Sequence, residues 1–590
     1  MVFVRSAQSL ARRTPRWKSL FTPQQPHVFA CLIALIICAT PASGQDIEPS
    51  NSSATIQGTV INSVTHAPIG RALVYSADNR FATFTDNEGH FEFQLPATDV
   101  GASRDSAQAG PIEQAADRSV LLKARRPGFL DTNPSGMNAR AVPGHPLTIS
   151  LVPEAIVHGN ATTSSGDPAV GLSVNLFSRQ VQDGMARWSM TATAQTNSNG
   201  DFRFAALGPG AYKLVTGELL DTDPASSTPR TQLDGFPPVC YPGVDDFSAA
   251  ATIQLSAGGT FQANVSLVRK PYYRVRIPVA GDIINGMNVT VSVQGHRNPG
   301  YSLGYNQQEH RIEGLLPSGN YQVEANTYGP TPSGGNANIA VAGVPVEGSG
   351  IILTKSASIE VNVDEQFTST YTNEPGRWSD GKHNFTYHGP RLYLQISAVP
   401  VDDFAPPRNV YLRPPVKQED NSLVVEGLAP GKYSMRFYSS RGYAASATMG
   451  GVDLLHQPLV ITAGSSAPIE VTMRDDGGEI EGTLLMPGTA ENIIGSPATR
   501  PSLPPVSVYC IPLSDSPGQI QELSASPGEK FQTPKLAPGI YRILAFSTPQ
   551  SDLLYRDAEA MKEYENQGEV VHLEAGQKQS VQLSVISAKN

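Results

Sequence analysis

Along most of the chain, apolar side chains recur at every second position in short runs, and clusters of Gly, Pro, Asn and Asp separate the runs. In the stretch GDFRFAALGPGAYKL, Gly200 to Leu214, Phe202 and Phe204 fall on one face of a strand, because successive side chains point to opposite sides. Leu207 leads into a corner where Pro209 presets φ and Gly210 adopts angles that other residues resist; Tyr212 and Leu214 then resume the apolar face. This period of two predicts two strands joined tightly, each with one face in a core.

The corner returns in IEGLLPSGNYQVEA (residues 312–325), VEGLAPGKYSMRF (425–437) and PKLAPGIYRILAF (534–546), with alternation kept at Val323 and Ala325, Met435 and Phe437, Ile543 and Ala545. Opening strands share a central glycine, in IQGTV (56–60), VHGNA (157–161) and IEGTL (480–484), and closing strands flank an Ala-Gly turn. The recurrence predicts an all-β tandem array of about five transthyretin/Ig-like β-sandwiches, at residues 45–152, 153–267, 268–355, 356–474 and 475–590. The first carries a polar loop insertion after Pro96 and the fourth an aromatic-rich loop. One stretch departs from the pattern: residues 551–569 predict a short helix on the fifth unit, with Met561 and Tyr564 on one face and Gly568 as its stop.

The first 44 residues read differently. Arg5, Arg12, Arg13, Arg16 and Lys18 precede an apolar run from Val28 to Ala39, and Ala42 and Gly44 suit cleavage before Gln45. This predicts a secretory signal at residues 1–44 and a secreted, periplasmic or cell-surface destination. Twelve apolar residues are short for a helix crossing a ~30 Å hydrocarbon core, so no transmembrane span is expected after cleavage. Ile37 stands where a lipoprotein signal would have a small residue before Cys38.

Cleavage leaves 38 basic against 53 acidic residues, a net charge of about −15, which repels a phosphate backbone and argues against nucleic acid as a partner. Of the cysteines only Cys240 and Cys510 remain, and a disulfide between them is open in an oxidising compartment.

Residues 56–93, IQGTVINSVTHAPIGRALVYSADNRFATFTDNEGHFEF, resemble the carboxypeptidase regulatory-like domain, a transthyretin-like β-sandwich, through Pro68, Ile69, Ala72, Thr85, Asp86, Gly89, Phe91 and Phe93. The second unit is similar more loosely, through Pro168, Thr196, Asn197, Gly200, Phe202 and Phe204. The first unit departs after Leu95 and Pro96, where a polar stretch replaces the Gly-x-Tyr of the corner. In zinc carboxypeptidases such a domain accompanies a catalytic one and carries no catalytic residues. The resemblance therefore implies a fold without chemistry of its own, and the string of units behind a signal looks like large exported bacterial proteins.

Two motifs invite an enzyme reading. GYSLG, residues 300–304, fits a nucleophile elbow at Ser302, but the sequence after it reads as a hairpin strand where the elbow needs a helix. HRIE places His310 and Glu313 at a zinc-site spacing, yet residues three apart on a strand face opposite ways and cannot close on one ion. No cofactor, metal site or catalytic residue is expected. The acidic turns TDNEG and TNSNG are ordinary hairpin formers that do not spell a full calcium loop.

If the chain binds a ligand, the candidate lies at residues 371–393 of the fourth unit. Trp378, Phe385 and Tyr387 stand there beside Asp380, Lys382 and His383, a mixture of ring faces and hydrogen-bonding groups that suits sugar rings or protein surfaces. The competing reading is that the rings pin the loop to its own sandwich. The prolines and aromatics of FPPVCYPGVDDF, residues 236–247, are expected to cover a domain junction. The expectation for the whole chain is an exported, non-catalytic scaffold or interaction protein of the cell envelope. The alternative is a polysaccharide-binding accessory protein using residues 371–393, and the remaining reading is a hydrolase with an unrecognised site.

Overall fold

A computed structural model describes residues 54–95, 120–131, 139–142, 144–220, 232–283, 286–293, 299–328, 332–370, 374–401, 409–462, 467–485, 505–513, 516–526 and 530–587. Residues 1–44, expected to be a signal, and most of the polar insertion expected in the first unit lie outside the described residues.

Among the described residues one topological arrangement recurs five times. In the first, the opening strand Ala54–Asn62 lies between His90–Leu95, to which it runs antiparallel, and Leu147–Leu151, to which it runs parallel. The same arrangement recurs around Ala155–Thr163, Ala357–Gln366 and Glu479–Leu485, each with one antiparallel neighbour and parallel closing pairing, and around Lys270–Ala280, which has a second antiparallel neighbour. A four-stranded second sheet completes each unit. Between the sheets lie five apolar cores, spanning residues 56–151, 155–267, 275–351, 359–473 and 480–585. The protein is thus a tandem array of β-sandwiches.

The repeated corner has a specific anchor. Each tyrosine hydroxyl donates to the carbonyl four residues back: Tyr212 to Gly208 at 2.8 Å, Tyr321 to Pro317 at 2.9 Å, Tyr433 to Ala429 at 2.9 Å and Tyr541 to Ala537 at 2.7 Å. The rings are buried, and the bond gives each hydroxyl a partner that burial would otherwise deny it. A second recurring anchor supports the turn before the hairpin. The Thr85 hydroxyl donates to the Ile69 carbonyl and accepts from the Ala72 amide; Thr196 does the same with Ala169 and Leu172.

The glycine of the opening strand is a packing requirement. At Gly159 a Cβ would lie 1.8 Å from the Ala263 carbonyl oxygen and 2.7 Å from the Phe202 ring, so only glycine lets the parallel closing strand and the phenylalanine approach together.

Three features add detail that the sequence does not carry. The boundary near residue 268 is bridged: Gln232–Phe236, from the second unit, pairs with Lys270–Ala280 and extends the first sheet of the third. In the fourth unit the strand Tyr443–Met449 crosses to the sheet of the opening strand and pairs with Ile469–Arg474. The helix expected over residues 551–569 is one α-helical turn, Ala558–Met561, followed by a 3₁₀ turn, Lys562–Tyr564. Asp557 caps it by accepting from the amides of Glu559 and Ala560. Residues before the cap are held elsewhere: Leu553 is buried and, with Tyr555, joins a cluster on the outer side of the fifth sandwich. Met561 and Tyr564 pack on that same cluster, Tyr564 edge-on to Phe546 at 5.6 Å.

Cys240 and Cys510 are buried in different clusters and are not bonded to each other. Burial pushes both thiols up to about 12. Among the described residues no helix is long and apolar enough to cross a membrane.

Candidate functional site

The aromatic-rich segment of the fourth unit is a β-hairpin, not an irregular loop. Gly376–Ser379 pairs antiparallel with Asn384–Tyr387, with Trp378 opposite Phe385 and Gly376 opposite Tyr387. The turn forms because Asp380 accepts from the backbone amides of Lys382 and His383, at 2.7 and 2.5 Å, and its other oxygen meets His383 Nδ1 at 3.0 Å. The His383 bond, with those of the two amides, holds the Asp380 carboxyl down at about 2. Trp378 and Phe385 stack with centroids 6.0 Å apart and planes 9° from parallel, both half-exposed. Tyr387 lies over Gly376, where a Cβ would come within 2.3 Å of the ring.

The hairpin is tied to residues 419–421 by bonds from Glu419 N to Thr386 O at 3.0 Å and from His388 N to Asn421 Oδ1 at 2.6 Å. Asp380 and Lys382 are exposed, and the rings of Trp378, Phe385 and Tyr387 are all half-buried.

Ser302 and the His310–Glu313 pair have structural partners. The Ser302 hydroxyl and amide both donate to Glu218 Oε1, at 2.6 and 3.0 Å, tying the third sandwich to the second, and the strand Gly304–Asn306 follows. Burial raises the Glu218 carboxyl against those two bonds. His310 Nδ1 lies 3.2 Å from the Tyr305 hydroxyl, whereas Glu313 binds Asn306 Nδ2 and Arg311 Nε, both at 2.9 Å. Among the described residues no group of three or more His, Cys, Asp or Glu side chains could hold a metal ion. Residues 236–247 cover the outer face of the second sandwich, where Phe247 packs on Phe177 and Trp188, and Lys213 Nζ donates to the Phe247 carbonyl at 2.8 Å.

The feature that sequence reasoning missed is a junction of three sandwiches. Asp183 and Gly184 form the two-residue turn between Ser173–Gln182 and Met185–Gln195, both at positive φ, 56° and 71°, as such hairpins require. The Asp183 carboxylate meets Arg436 of the fourth sandwich and Arg556 of the fifth, the latter at 3.2 Å. It also accepts from the Tyr555 hydroxyl at 2.6 Å and the Ser434 hydroxyl at 3.0 Å. The Tyr555 ring lies on Gly184, where a Cβ would be 2.6 Å from it, so the turn glycine also admits the fifth sandwich. Beside this cluster opens a cleft of about 630 Å³. A second cleft of similar volume lies between the first two sandwiches, with Arg71, Arg125, Arg126, Asp131 and Glu154 on its walls.

No family model and no curated protein matches the chain. Among solved structures it is similar to a Streptococcal ancillary pilin, at 12% identity over 50% of this chain and 99% of that one, with a TM-score of 0.17. The Bacillus anthracis TIE protein matches at 12% identity over 73% of each chain, TM-score 0.14. BcpA, the major pilin subunit of Bacillus cereus, matches at 9% over 55% of this chain and 99% of its own, TM-score 0.13.

Proposed function

We propose that this chain is an exported, non-catalytic array of β-sandwiches that serves as a scaffold or protein-interaction module of the cell envelope. The observation supporting this reading is the way neighbouring units are locked. The second, fourth and fifth sandwiches meet on one carboxylate, and the second and third share a sheet, so the array holds surfaces in fixed relation instead of stringing them on linkers. The carboxypeptidase regulatory-like resemblance of the first two units belongs to the same proposal. The matched hydroxyl bonds of Thr85 and Thr196 and the buried pairs Phe91 and Phe93, Phe202 and Phe204 support it.

The test is fractionation of cells that make the tagged chain, followed by crosslinking in the envelope. The chain should begin at Gln45, lie outside the cytoplasm and crosslink to a defined envelope protein. Retention in the cytoplasm with residues 1–44 attached would overturn the reading.

A second reading has an observation of its own. The half-exposed stack of Trp378 and Phe385 beside the Asp380–His383 pair favours polysaccharide binding at the hairpin, with Lys382 and the edge of Tyr387 at its margin.

A further inference from the structure

The cleft beside the Asp183 cluster has a floor, walls and a chemistry of its own. Its floor is the outer side of a sheet in the fourth sandwich, where Leu394–Pro400 lies between Val410–Tyr411 and Gly431–Ser439. Register sets Ser397 opposite both Tyr411 and Arg436, and Gln395 opposite Tyr438. Since alternate residues face opposite ways, Leu394, Ile396, Met435 and Phe437 fill the core, and the intervening side chains face out. The far wall comes from the fifth sandwich, through Tyr509, Gln521, Glu522 and Gln550.

Two tyrosines stand in this cleft largely uncovered, Tyr411 at 62% and Tyr438 at 48% exposure. Among the described residues, the amides of Gln395 and Gln521 and the Tyr438 hydroxyl have no side-chain hydrogen-bond partner, although each lines the cleft. Asn409 is already oriented, its Oδ1 3.2 Å from Gln182 Nε2 and its Nδ2 3.4 Å from the Tyr411 hydroxyl. The charges are committed: Arg436 is paired with Asp183, and Glu522 accepts from the Tyr509 hydroxyl at 2.8 Å. Among the described lining residues no cation is left to select an anion, and the acidic chain repels polyanions.

Ring faces offer an apolar platform to the CH face of a pyranose, and amides offer both donors and acceptors to its hydroxyls. A volume of about 630 Å³ lies within the roughly 300–1,000 Å³ of small-ligand sites. We infer that the cleft between the fourth and fifth sandwiches binds a short stretch of neutral glycan, with Tyr411 and Tyr438 as platforms and Gln395 and Gln521 reading its hydroxyls. This site shares no residue with the hairpin carrying Trp378, so the two can fail separately.

The test is calorimetric titration of the chain from Gln45 onward with cellohexaose, xylohexaose, mannohexaose and laminarihexaose, and with an oligogalacturonate as the acidic comparison. At least one neutral oligosaccharide should bind. Tyr411→Ala together with Tyr438→Ala should weaken it about tenfold or more, Gln395→Ala should weaken it less, and Trp378→Ala should leave it unchanged. Both tyrosines are exposed, so melting temperatures should hold, and Gln395→Ala supplies a second readout with minimal disturbance of packing. Absence of neutral binding at millimolar concentration, preference for the acidic oligosaccharide, or binding that survives the tyrosine pair would each overturn the inference.

Discussion

Asp183, at the tip of a hairpin in the second sandwich, is ion-paired with Arg436, in the middle of a strand of the fourth, and their side chains are only 8% and 5% exposed. Neither charge could be left there alone, since an unpaired ion out of water costs several kcal/mol even after the protein relaxes. Arg556 shares the carboxylate, and burial, the chief cause, lowers the Arg436 guanidinium from its ordinary value. The junction therefore forms as a whole or opens as a whole.

Asp183→Asn keeps the shape of the turn but strands two arginines. It should lower stability by roughly 3–5 kcal/mol and separate the melting of the second sandwich from that of the fourth and fifth in calorimetry. A loss below about 1 kcal/mol would mean that the cluster is as well hydrated as a surface pair.

The four corner tyrosines allow ring and hydroxyl to be weighed apart. Tyr433→Phe keeps the buried ring and removes the bond to the Ala429 carbonyl, for an expected loss of about 0.5–1.5 kcal/mol. Tyr433→Ala also empties the core, for roughly 3–5 kcal/mol. Denaturant melts of the two variants give the difference directly, and equal losses would contradict a core role for the ring.

What could be read from the chain was local, and what could not was distant. The period of two, the Pro-Gly corners and the strand glycines act on neighbours within one hairpin, and these predicted the array of sandwiches. Asp183-Gly184 is legible as a turn, but its partner Ser434 lies 251 positions away, and nothing in either neighbourhood announces the other. The short helix expected within residues 551–569 occupies only Ala558–Met561 and the 3₁₀ turn Lys562–Tyr564, for the same reason. Its helix-forming composition is local, while the burial of Leu553 on the fifth sandwich and the bond of Tyr555 to Asp183 are tertiary. At the hairpin, residue types single out a group of aromatic side chains, and only the geometry shows that Tyr387 packs across the hairpin on Gly376 while Trp378 stacks on Phe385.

Separate substitutions of the two rings probe the hairpin. Trp378→Ala should cost less than about 1 kcal/mol, whereas Tyr387→Ala should loosen the hairpin and raise its proteolysis. If the hairpin holds polysaccharide, Trp378 emission should shift on binding and Trp378→Ala should abolish retention on the matching matrix. Unchanged retention would leave the stack a purely structural pair.

The acid limb of stability should trace largely to Asp475, in the connection between the fourth and fifth sandwiches. Burial alone would raise this carboxyl. The hydrogen bonds from Ser369 and Thr368 outweigh it, two from backbone amides at 3.1 and 2.7 Å and two from hydroxyls at 2.5 and 2.8 Å, and the net effect is a carboxyl well below its ordinary value. Asp420 is lowered similarly, through Ser422, the Val416 amide and Arg413. The unfolded chain, with Asp near about 3.9, then binds more protons than the folded one once the pH drops below that value, and proton uptake favours unfolding. The stabilisation is fully present above the unfolded value and is lost as pH falls through the lower folded one. Asp475→Asn, whose amide cannot accept all four bonds, should destabilise the chain at neutral pH. The gap between parent and variant should shrink steadily in melts from about pH 6 to about pH 2. A gap that stayed constant over that range would show that the carboxylate charge is not what holds Thr368 and Ser369 in place.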